Sequence, residues 1–103
     1  MFIQQGDVLI KTVSAIPNGA VPIRRENGKI VLQRGEHTGH AHVIVDEPAT
    51  MYRIGELTFV VVDAPARVEH EEHGALILAP GIYQIIRKRE YDHFAEEARV
   101  VKD

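Results

Sequence analysis

The chain contains no cysteine. Disulfides, thiolate metal sites and cysteine nucleophiles are therefore excluded, and the absence fits a reducing compartment. No apolar stretch is long enough to span a bilayer, so no membrane partner is expected. The opening MFIQQGDVLI lacks a basic segment followed by a long apolar run, so no signal peptide is expected. A cytoplasmic, soluble protein is the default. Clustered positive charge is also scarce. The net charge is −3, and the single basic run, Arg87-Lys88-Arg89, is followed at once by Glu90. A surface of this kind does not neutralise a row of phosphates, so no nucleic-acid partner is expected. Low-complexity tracts and internal repeats are absent.

What is present describes a scaffold. A chain of 103 residues with 45% hydrophobic and 26% charged content forms one domain with a modest core. Strand signals dominate. Segments 7–13 (DVLIKTV), 21–25, 29–34, 40–46 (HAHVIVD), 51–54, 57–63 (LTFVVVD), 66–70, 75–79 and 82–89 are rich in β-formers. Turn signals separate them. Asn18-Gly19 and Asn27-Gly28 favour positive φ, Pro48 ends a strand, and Pro80-Gly81 suits the centre of a type II turn. The tail 92–103 reads differently. Asp92 is a candidate cap, and Phe94, Ala98 and Val101 share a face at helical spacing. The expected fold is all-β: a small antiparallel barrel or sandwich over residues 1–91, with a short C-terminal helix over 92–103 docked on the sheet or on a neighbouring subunit.

The functional signal lies in the histidines. Five of the six histidines fall in two short clusters, GEHTGHAH at 35–42 and VEHEEH at 68–73. On a strand, side chains alternate, so His40, His42 and Ile44 face one way and Ala41, Val43 and Val45 the other. Two imidazoles at i and i+2 converge on one ion, and imidazole suits zinc, copper, iron and nickel. If the strands bearing residues 40–46 and 66–70 lie close, His40, His42, His70 and His73 form a three- or four-ligand metal site. Glu36, Glu47, Glu69, Glu71 and Glu72 supply carboxylates as further ligands, as partners orienting an imidazole, or as a general base; Glu72 is the candidate catalytic base. The bland alternative is a polar turn beside a solvated loop. Gly35 and Gly39, either side of His37-Thr38, fit a tight turn.

The string Gly35, four residues, His40-Ala41-His42, four residues, Glu47, seven residues, Gly55 resembles the first motif of the cupin superfamily, small β-barrels that hold a metal inside the barrel. The resemblance implies a cupin-like barrel with His40, His42 and Glu47 as metal ligands. Gly74, Pro80 and Gly81 look similar to the second motif. Its histidine position holds Ile82-Tyr83-Gln84-Ile85, so His70 and His73 would have to substitute.

Two functions compete. The first is a small metal-binding β-barrel, using a divalent transition metal (zinc, iron, manganese or nickel) and acting on a small polar molecule as a metal-dependent enzyme. The second is a non-enzymatic, homo-oligomeric assembly or accessory module of a phage or bacterial structure. In that module the strand at 57–62 and the tail supply contacts and the histidines sit at an interface.

Overall fold

The computed structural model describes residues 2–34 and 40–87. Ten strands make up its regular structure: β1 (Phe2–Gln5), β2 (Val8–Val13), β3 (Val21–Ile23), β4 (Ile30–Arg34), β5 (Ala41–Ile44), β6 (Ala49–Ile54), β7 (Leu57–Val62), β8 (Ala66–Glu69), β9 (Leu76–Leu78) and β10 (Gly81–Arg87). The expected all-β class is what forms. The strands build two antiparallel sheets, one of six strands in the order β1-β2-β10-β7-β6-β3 and one of four in the order β4-β5-β8-β9. Neither sheet closes on itself, so the arrangement is two open sheets and not a closed barrel. Both sheets feed one core. Val8, Ile10, Met51, Val60, Val62, Tyr83 and Ile85 from the larger sheet join Ile30, Leu32, Ile44, Val68 and Leu78 from the smaller in a single apolar cluster. Alternation explains this directly. In β5 and β8 every second side chain is buried, as are Val8 and Ile10 of β2 and Ile30 and Leu32 of β4, which gives each sheet one apolar face to bury against the other.

The turns set the connectivity. Asn27 (φ 52°) and Gly28 (φ 77°) are both left-handed, as the Asn-Gly pair predicts, and Glu26 pairs with Lys29 across them. The pairing goes no further, because β3 belongs to the larger sheet and β4 to the smaller. The turn is a corner between sheets rather than the tip of a long hairpin. Arg25 locks that corner. Its guanidinium donates to the carbonyls of Gly28, Val45, Asp46, Glu47 and Ala49, tying the β3–β4 corner to the β5–β6 connection. Pro80-Gly81 is a second corner, from β9 to β10. Gly81 does not have positive φ, so the expected type II turn is not formed and Gly81 opens β10 directly.

One strand was not foreseen. Residues 2–5 form β1, an edge strand paired with β2 through Gln5↔Val8 and Phe2↔Lys11. Gly6, at φ 54°, makes the tight reversal between them. The expected C-terminal helix over 92–103 lies outside the described residues, as do His37, Gly35, Gly39 and His93. No helix long and apolar enough to cross a membrane exists among the described residues.

Candidate metal centre

The two histidine clusters meet. β5 and β8 are neighbours in the smaller sheet, paired antiparallel through Val43↔Glu69 and Ile44↔Val68. One further step in that register sets His70 against His42, just past the end of the ladder. Their ring centroids are 4.3 Å apart. His73 follows after a tight bend and brings its ring to 4.7 Å from that of His70 and 6.1 Å from that of His42. The ring of His40 stands edge-on to His70 at 5.7 Å. Four imidazoles that lie up to 33 residues apart in sequence thus share one end of the smaller sheet. Within β5, His42 is buried with Ile44, as alternation predicts; His40 precedes the strand and is half-buried.

Carboxylates complete the group. Ligand atoms of His40, His70 and Glu71 all lie within 4.8 Å of one another. Glu71 Oε2 accepts the backbone N–H of Ala41 at 3.1 Å. Its own backbone N–H first, and then that of Ala41, hold the Glu71 carboxyl below the usual carboxylate range, so the group carries its charge beside the imidazoles. Glu72 Oε1 lies 3.5 Å from His40 Nδ1, where it orients that ring. Glu47 is not brought into this group. It follows the far end of β5, five residues beyond His42, and contributes its backbone carbonyl to Arg25 instead.

The rings differ in what they offer. His42 is only 4% exposed. Burial, and then the neighbouring His70 and His73, push its pKa down to about 4, against a smaller upward pull from Asp7 and Glu71. It is a neutral imidazole at physiological pH. Its Nδ1 lies 2.7 Å from Gln5 Oε1. His70 is held from the opposite side. Its Nδ1 accepts the backbone N–H groups of Glu72 (3.0 Å) and His73 (3.3 Å), capping the bend that carries His73.

The β1–β2 turn forms the second wall of the site. Gln5 is 4% exposed and reaches across from the larger sheet. Gly6 lies beneath His73: a Cβ at that position would press on His73 Nε2. Sequence reading passed over Gln5 and Gly6, because β1 carries only a weak strand signal. The Gln-Gly-Asp string after two β-formers was the available trace of a turn. On the other flank, the ladder between β4 and β5 slips between Val31 and Gln33, and Gln33 pairs opposite His42. Gln33 Oε1 is buried with no hydrogen-bond partner among the described residues. The centre is therefore a cluster of four imidazoles with the carboxylates of Glu71 and Glu72, and with the Gln5 amide against His42.

Residues 4–88 match the family described as a domain of unknown function (DUF8820), and the chain belongs to that family. No curated protein and no solved structure matches it.

Proposed function

We propose that this member of the DUF8820 family binds a divalent transition metal ion at the end of its smaller sheet. The observation that carries the reading is the convergence of His40, His70 and Glu71, whose ligand atoms lie within 4.8 Å of one another, with the rings of His42 and His73 alongside. Several nitrogen donors with one carboxylate suit zinc, iron or nickel, and manganese less well. The ion would neutralise the Glu71 charge and bring the imidazoles together. An ion that took His70 at Nδ1 would replace the two backbone N–H groups there, which couples metal binding to the shape of the bend at 71–73. A position left open by the protein ligands would admit a small polar molecule, with Glu72 beside it as base; enzymatic activity is the extension of the reading. The cupin likeness rests on the inward pair His40 and His42. Two open sheets and the remote Glu47 support it less.

Elemental analysis of untagged protein, purified without added metal or a metal-affinity step, tests the reading. About one transition-metal ion per chain is expected, and His40→Ala and His42→Ala are each expected to lower occupancy more than His93→Ala does. Equal occupancy in all three variants, or no uptake on titration, sinks the shared site.

A second reading has its own observation. Exposed apolar side chains lie on three edge strands: Phe2 on β1 (59% exposed), Val21 on β3 (55%) and Ile77 on β9 (58%). Unpaired edges with apolar side chains favour strand-to-strand association, which fits a homo-oligomeric module. Sedimentation of metal-free protein decides it. A stable oligomer that Ile77→Lys or Val21→Lys dissociates supports assembly, and a monomer at all concentrations removes it.

A further inference from the structure

Gln5 makes three contacts. Its Nε2 lies 2.9 Å from the carbonyl oxygen of Val68 and 2.9 Å from that of Gly74. Its Oε1 lies 2.7 Å from His42 Nδ1. The first two contacts settle which end of the amide is which. Carbonyl oxygens only accept, so both must face the NH2 group; the reversed amide would set oxygen against oxygen twice. The amide oxygen therefore faces His42, and an amide oxygen also only accepts. His42 Nδ1 must then carry the proton. In a neutral ring that leaves Nε2 with a free lone pair, which is the form a metal-bound histidine takes when its other nitrogen donates to an oxygen.

The same reasoning gives His70 the opposite form. Its Nδ1 accepts two backbone N–H groups, so in the neutral ring the proton sits on Nε2. Two rings 4.3 Å apart are thus held in opposite tautomers by different parts of the chain. Of the two, His42 is the one already prepared to coordinate at Nε2. Its restraint comes from the other sheet: Gln5 ends β1, and its NH2 group ties β8 and the segment after His73 to the same point.

We infer that Gln5 is the positioning residue of this centre: its amide oxygen holds buried His42 in the Nδ1–H form and so presents Nε2 as a nitrogen ligand. The inference deepens the metal reading and rests on it. Loss of such a partner weakens metal binding by about 10- to 100-fold.

Nitrogen-15 NMR of the histidine side chains in the full chain tests this, first without metal and then with zinc ion added. In the metal-free protein at neutral pH, His42 is expected to show a protonated Nδ1 and an unprotonated Nε2. Zinc should then shift the Nε2 resonance. Gln5→Met keeps the length and removes the acceptor; it should mix the His42 tautomers and weaken zinc binding about 10- to 100-fold. If Gln5→Met does not fold, the wild-type spectra without and with zinc decide. A wild-type His42 protonated at Nε2 overturns the inference. So does zinc uptake that leaves the His42 nitrogens unmoved, with the metal reading intact. No zinc uptake at all overturns the metal reading and the ligand role of His42 with it, while the metal-free spectrum still reads the tautomer separately.

Discussion

At the scale of single residues, burial decides the chemistry of the centre. His40 and His42 are the same side chain two residues apart, one just ahead of β5 and one within it, yet the first is half-buried and the second nearly sealed. Sealing holds His42 neutral, with its pKa at about 4 against 6.5 in a free side chain. The consequence for stability has a definite sign. Between pH 6.5 and 4 the unfolded chain binds the His42 proton and the folded chain does not, so acidification favours unfolding over that window. The loss is on the order of 3 kcal/mol at most, and it levels off below about pH 4. Denaturant titrations of the metal-free protein at several pH values should show the decline. His42→Gln, which removes the titrating group, should flatten it.

At the scale of elements, one short turn carries much of the site. Gly6 is in the left-handed region at φ 54°, and a Cβ there would press on His73 Nε2. Gly6→Ala is therefore expected to cost about 1 kcal/mol in backbone strain. It is also expected to push the His73 ring out of the cluster and so weaken metal uptake. Thermal unfolding and metal titration measure the two effects separately. Unchanged metal affinity in Gly6→Ala would show that His73 stands outside the coordinating set. The β5–β8 pair is the complementary element. It places His42 and His70 side by side by continuing the register Val43↔Glu69 and Ile44↔Val68 one step further.

At the scale of the whole molecule, the shared core keeps the two walls of the site in register. Gln5 approaches from the six-stranded sheet and the histidines from the four-stranded one, so the centre depends on how the sheets pack. Ile10 and Leu78 are fully buried on opposite sides of that packing. Ile10→Ala or Leu78→Ala is expected to cost about 2–5 kcal/mol. Circular dichroism should show a β-dominated spectrum in the wild type and an earlier melting transition in either variant. If metal binding needs both walls, these distant variants should also weaken it as they approach unfolding.

Much of this was legible from the sequence alone. Segments such as DVLIKTV and LTFVVVD mark strands because β-branched and aromatic side chains fit a pleated backbone, and that local preference needs no partner. The period of two along a strand set His42 and Ile44 on one face. Asn27-Gly28 announced its turn because few residue pairs accept two consecutive left-handed conformations. The tertiary structure alone decided the rest. Strand pairing joins segments far apart in the chain, so only the fold could bring residues 40–42 beside 70–73 and leave Glu47 behind. β3 and β4 flank a good hairpin turn yet enter different sheets: β4 buries Ile30 and Leu32 in the smaller sheet, while β3 pairs with β6 at the edge of the larger one. Gln5 shows the limit most plainly: it looks like an ordinary polar residue near the start of the chain, and only the packing of one sheet on the other sets its amide against His42.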